Sequence, residues 1–345
     1  MKRTSALVAL IGSSSLLALT SASAIASGEV NVYSARNEAL IAPLLDTFSK
    51  ENDVKVNLIT GKADALLSRL QSEGDASPAD VFITVDAGRL YRAKEAGVLQ
   101  PFETKQLNKV VPEHLKDREG YWYGLSQRSR VIFYNPENVN AAQLSTYEDL
   151  ADPKWKGKIC IRSSSNIYNQ SLVASMIDAH GEAKTLDWAK GLVANFARPP
   201  AGGDTDQIKA VAAGVCDVAV ANTYYFGRLG LSKQSSDRAI FDKLAMHWPN
   251  QASNQRGAHV NVSGIGITAS SQNIDNAKKL IDFLTNDQSQ TWYANVNNEY
   301  AVVDGIAPPK SLAKFGEFKA DTVSLSVLGE NNRKAVELMD KAGWK

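Results

Sequence analysis

Residues 30–59 read VNVYSARNEALIAPLLDTFSKENDVKVNLI, and this stretch decides the fold. Val30 to Tyr33 is a short β-branched run, Glu38 to Lys50 follows a helical pattern, and Val54 to Ile59 is a second β-branched run. A further helix runs to about Ser72, and a third strand covers Asp80 to Val85. Strand and helix alternating at these lengths is the signature of parallel strands with helices on the sheet faces, an α/β fold.

The alternation restarts at Arg130-Val-Ile-Phe-Tyr134, with later strands at Ile159 to Arg162 and Cys216 to Ala221 and helices around Gln170 to Ala179 and Lys184 to Asn195. A strand at Gly264-Ile-Gly-Ile-Thr268 and amphipathic helices at Ile274 to Thr285 and Gln288 to Val296 are expected to return to the first unit. The expected organisation is an N-terminal lobe of residues 27–127 and 264–310, a C-terminal lobe of residues 128–263, and C-terminal helices in 311–345 packing across both. Two crossings between lobes make a hinge.

The first residues read as a targeting segment. Lys2 and Arg3 precede an apolar run from Ala6 to Leu19, followed by Ser21-Ala-Ser-Ala-Ile-Ala26. A run of roughly 14 apolar residues is too short to span a bilayer, so residues 1–26 are expected to be a cleaved signal peptide. Its removal takes Lys+Arg from 38 to 36 against 37 acidic residues, a net charge of −1. That balance gives no electrostatic reason to expect nucleic acid or an anionic membrane as partner. Roughly 320 remaining residues exceed one ordinary core and suit two lobes. Export also places Cys160 and Cys216 in an oxidising compartment. A disulfide between them is expected, the alternative being two buried thiols.

Open α/β sheets bind ligands where the carboxyl ends of strands meet helix N-termini. Here those loops are Ser34-Ala-Arg-Asn-Glu38, Thr84-Val-Asp86, Ser163-Ser-Ser-Asn-Ile-Tyr168 and Asn222-Thr-Tyr-Tyr225. Adjacent tyrosines directly after a strand are unusual for a core, because a strand sends neighbours to opposite faces. At a strand-to-helix turn both can enter a cleft. None of His114, His180, His247 and His259 falls in these loops, so surface or supporting roles are expected of them, with His259 the candidate exception.

The chain resembles the ferric-ion-binding proteins of bacterial iron ABC transporters, in the type II periplasmic binding protein group. The resemblance rests on Val32-Tyr-Ser-Ala-Arg36, Ser77-Pro-Ala-Asp-Val81, Ser126-Gln-Arg-Ser-Arg130, Pro153-Lys-Trp-Lys-Gly157, Arg162-Ser-Ser-Ser-Asn166 and Asn222-Thr-Tyr-Tyr225. It implies a two-lobed, hinged, monomeric periplasmic protein that binds Fe(III) and delivers it to an ABC transporter permease. The family's iron-binding tyrosines fall on Tyr168, Tyr224 and Tyr225. Its arginines near the metal fall on Arg128 and Arg228, which would balance phenolate charge or, with Ser165 and Asn166, hold an accompanying carbonate or phosphate. In the first loop, where relatives often supply histidine or tyrosine, this chain has Asn37 and Glu38. Glu38 is therefore the candidate ligand from the first lobe, the alternatives being water or a bound carbonate or phosphate. At the position where some relatives place a glutamate ligand it has Val85.

The chemistry agrees with the resemblance. Ferric iron is a hard cation, and phenolate is a hard, strongly basic donor. Each phenolate forms only as a proton leaves, because free tyrosine titrates near 10. A binding protein for phosphate, a phosphonate or a polyamine is the alternative on the same fold. A hydrolase using Ser163, Ser164 or Ser165 is disfavoured, since no G-x-S-x-G turn or S-x-x-K motif surrounds them.

Overall fold

The computed structural model describes residues 28–345. The expected signal peptide, residues 1–26, lies outside the described residues. The strands are β1 (Glu29–Ser34), β2 (Lys55–Thr60), β3 (Val81–Val85), β4 (Leu99–Gln100), β5 (Tyr123–Tyr134), β6 (Ile159–Cys160), β7 (Val218–Asn222), β8 (Ala245–His247) and β9 (Val260–Thr268). The helices are α1 (Ala42–Asn52), α2 (Ala63–Glu73), α3 (Ala87–Glu95), α4 (Lys105–Val110), α5 (Ile167–Ala194), α6 (Asp204–Ala212), α7 (Thr223–Gly230), α8 (Ser235–Lys243), α9 (Ile274–Leu284), α10 (Asp287–Trp292), α11 (Ser326–Glu330) and α12 (Asn332–Lys341).

The main path through the curled sheet is β2-β1-β3-β9-β5-β7-β6, with β4 against β9 and β8 against β5. Pairing within β2-β1-β3 and between β6 and β7 is parallel, as the sequence grammar requires. The two long strands β5 and β9 run antiparallel to their neighbours and join the halves. Tyr123 to Ser129 of β5 pairs with β9, and Arg130 to Tyr134 pairs with β7 and β8. The strand expected to start at Arg130 is thus the far end of a 12-residue crossing. Close approach at this crossing explains Gly264: a Cβ there would lie 2.6 Å from the Tyr123 carbonyl oxygen.

The helix expected from Glu38 begins later. Pro43 sits in the first turn of α1 and Ile41 is non-helical, so Glu38–Leu40 forms a separate 3-10 turn, capped by the Asn37 side chain. Proline suits the first turn, where its missing N–H costs nothing, and would clash one turn further in. The two helices expected between Gln170 and Asn195 appear as α5, interrupted at Gly181, which adopts φ 79°. Only glycine takes that conformation cheaply.

Cys160 at the end of β6 is bonded to Cys216 before β7, with their Cα atoms 5.8 Å apart. The bridge ties the two strands whose following loops carry Tyr168 and Tyr224. At the C-terminus, α11 lies against both α3 and α5, and α12 lies against α5. Asn331 and Asn332 donate to the Ala174 carbonyl and the Gln170 side chain of α5. Gly329 passes Tyr91 of α3 at a distance that leaves no room for a Cβ. No helix among the described residues is long and apolar enough to cross a membrane.

Candidate functional site

Strand β7 ends at Asn222 and helix α7 starts at Thr223, which puts Tyr224 and Tyr225 in the first helical turn. Their rings lie 4.3 Å apart between centroids, tilted by 35°. Arg228 is four residues after Tyr224 and three after Tyr225, the spacings that share a helix face. Its guanidinium carbon stands 4.9 Å from the Tyr224 ring and 6.0 Å from the Tyr225 ring. Helix α5 begins at Ile167, capped by Asn166, so Tyr168 also occupies a first turn. Its hydroxyl is 3.3 Å from that of Tyr224. Two helix N-termini therefore bring phenols together at a place already favourable to negative charge.

Arg128 and Arg130 lie two residues apart on β5 and so share a face of the strand. Arg128 places its guanidinium carbon 5.4 Å from the Tyr168 ring, with a nitrogen 3.8 Å from Asp86. Asp86 follows β3. Its carboxylate accepts from Ser171 of α5 at 2.7 Å and from Asn261 of β9 at 2.9 Å. Arg130 donates to Asp204 at 3.0 Å, to Asn222 at 3.1 Å and to Asn169 at 2.7 Å. Arg162 approaches the other Asp204 oxygen at 3.6 Å.

Burial, followed by the neighbouring phenols of Tyr168 and Tyr225, pushes the Tyr224 hydroxyl well above the ordinary tyrosine value. Burial and Tyr168 push Tyr225 up to about 12. Without a cation both are neutral phenols at neutral pH. His259 moves the other way: burial, then Arg256, Arg130 and Arg128, hold it well below 6.5, so its imidazole is uncharged.

The expected residues Tyr168, Tyr224, Tyr225, Arg128 and Arg228 thus converge. Asn166 spends its side-chain oxygen capping α5, accepting from Tyr168 N at 3.2 Å. The Ser165 hydroxyl is 3.0 Å from that of Ser163. Glu38 stands exposed on the first loop and does not hydrogen-bond to the tyrosines. The neighbouring Arg36 is buried, paired with Glu299 at 3.1 Å. Burial works against the Arg36 charge, but Glu299, Tyr293 and Tyr224 raise its pKa. Among the described residues, no group of three or more His, Cys, Asp or Glu side chains could hold a metal ion. A cation at this place would rest on phenolates.

The sequence placed Asp86 in a site loop and Arg130 in a motif of the resemblance without a role for either, and gave no sign of Asp204 or Glu299 as parts of the site's support. The two-residue spacing of Arg128 and Arg130 was a usable signal. The Arg36–Glu299 pair spans 263 positions and leaves no local trace.

The model of the family described as bacterial extracellular solute-binding protein matches residues 76–317. Iron uptake protein A1 of Synechocystis sp. is 51% identical over 317 residues, covering 92% of this chain and 88% of its own. The Fe(3+)-binding periplasmic protein of Serratia marcescens is 34% identical over 339 residues, 97% of this chain and 96% of that one. Among solved structures, Trichodesmium IdiA (FutA) in complex with iron and citrate superposes with a TM-score of 0.89 at 52% identity, covering 92% of this chain and 100% of that chain. Apo ferric ion-binding protein A of Pasteurella haemolytica gives 0.84 at 40% identity, covering 92% and 98%. This chain, an α/β two-lobed type II periplasmic binding protein, belongs to the bacterial extracellular solute-binding protein family, among relatives that are ferric-iron-binding and iron-uptake proteins.

Proposed function

We propose that this protein captures ferric iron in the periplasm through the phenolates of Tyr168, Tyr224 and Tyr225 and hands it to an ABC transporter permease. The observation that carries the reading is the convergence of the three phenols, Tyr168 and Tyr224 being 3.3 Å apart, beside Arg128 and Arg228. Three phenolates neutralise Fe(III). A further anionic ligand leaves the centre negative, and the two arginines compensate that charge. The remaining coordination positions are assigned to Glu38 and to a small anion such as carbonate or phosphate held near Ser165 and Asn166. Strands β5 and β9 act as the hinge, so that the first lobe closes over the metal and excludes water. Ferrous iron would leave one more negative charge uncompensated, which disfavours it.

The proton balance tests this reading. Tyr224 and Tyr225 titrate above their ordinary value in the metal-free protein, so both carry protons throughout the range below pH ~10. Every phenolate bound to iron has then released one proton, and affinity rises with pH and falls on acidification. A pH-stat titration with ferric iron at fixed citrate should record two to three protons per metal from the protein, about one per phenolate. Binding with no proton release from the protein would exclude phenolate ligation.

A further inference from the structure

Behind Tyr168 lies a small cavity of ≈ 10 Å³ lined by Arg128, Arg130, Tyr168, Asn222, His259 and Asn261. Neither Tyr224, Tyr225 nor Glu38 lines it. That volume is space for about one water-sized centre. Arg128, Arg130, Asn222, His259 and Asn261 are each no more than 4% exposed.

Their hydrogen bonding is lopsided. Both terminal nitrogens of Arg128, the Nε of Arg130, the Nδ2 of Asn222 and the Nδ1 of His259 are buried without a partner. Four of these five can only donate. Acceptors on the same residues are fewer: the Asn261 oxygen already takes the backbone N–H groups of Ala87 and Val262, and the Asn222 oxygen takes Arg130 and keeps one lone pair. Charge is lopsided in the same direction. Three guanidinium groups, Arg128, Arg130 and Arg162, face two carboxylates, Asp86 and Asp204, which leaves one positive charge in surplus. A buried unpaired donor costs about 1–3 kcal/mol, and more when charged.

We propose that this cavity is a binding site for a single monatomic anion, a halide such as chloride, separate from any anion that meets the iron. A halide accepts from every donor around it and cancels the surplus charge. Water can donate to His259 Nδ1, to the Tyr168 hydroxyl and to the second lone pair of the Asn222 oxygen, but it leaves the surplus positive charge uncancelled. The site joins β5, through Arg128 and Arg130, to β9, through Asn261 and the adjacent His259. Its occupant therefore fastens the two crossing strands to each other.

The test uses the metal-free protein, so it does not depend on the iron reading. Crystals grown in gluconate and soaked in bromide should show one anomalous peak among Arg128, Arg130, Asn222 and His259. In solution, replacing gluconate by chloride or bromide at constant ionic strength should raise the melting temperature by a few degrees. Asn222→Asp keeps the oxygen that accepts from Arg130 and supplies an anionic acceptor in place of the orphaned nitrogen. It should lose both the peak and the halide response while melting no lower than wild type in gluconate. A water in place of the peak, or a peak that persists in Asn222→Asp, overturns the proposal. A peak in crystals with no shift in solution is binding at crystal concentration only, and overturns it as well. The wild-type measurements decide the matter alone if the variant fails to fold.

Discussion

Replacing Tyr224 or Tyr225 by Phe is expected to weaken ferric iron binding by more than the roughly 10–100-fold that follows loss of an outer-shell partner. The double variant is expected to abolish it. The substitution removes one oxygen, leaves the ring in place and, in the metal-free state, removes no charge, because both phenols are protonated there. The ring contacts with Arg228 can persist in the variants, so folding should be preserved. Competition with citrate for iron measures the loss, and thermal melting without iron serves as the control. Unchanged affinity in both single variants would return the pair to the status of ordinary packing aromatics.

The second large effect concerns the support beneath those tyrosines. Asp204 is fully buried and accepts from Arg130, whose side chain is equally buried, and from the backbone N–H of Asn222 at the head of α7. Asp204→Asn leaves the buried Arg130 charge without its counter-ion, which costs about 3–5 kcal/mol. A fall in melting temperature on the order of 10 °C is expected. Removing both partners, as Arg130→Met with Asp204→Leu, should cost less than the single change, because no charge is then stranded. A single variant that melts no lower than the double would show that the pair does not carry this load. Asn222 links Asp204 to α7, so the single variant should also loosen Tyr224 and weaken iron binding.

Much of this architecture was legible in the sequence because it is written in local pattern. Alternating strands and helices from Val30 to Val85 announced a parallel sheet, and the strand-end rule picked out the strand-to-helix turns where Tyr168 and Tyr224-Tyr225 meet. The expected bond between Cys160 and Cys216 is present. Departures came where one residue overrides a pattern or where partners are far apart. Pro43 moved the start of α1 past Glu38, so Glu38 sits on a separate exposed turn instead of within the helix. Strand β5 continues from one half of the sheet into the other, so periodicity gives no break at the crossing. The buried charges of Asp86, Asp204 and Glu299 are matched to arginines by tertiary folding, and no spacing rule relates such pairs.

The most direct test of the central claim is a visible absorption titration of metal-free protein with ferric citrate. Phenolate-to-iron coordination predicts a broad band that grows to one equivalent and is lost or shifted in Tyr224→Phe and Tyr225→Phe. A protein that binds iron tightly with no such band, or with the same band in both variants, would contradict it.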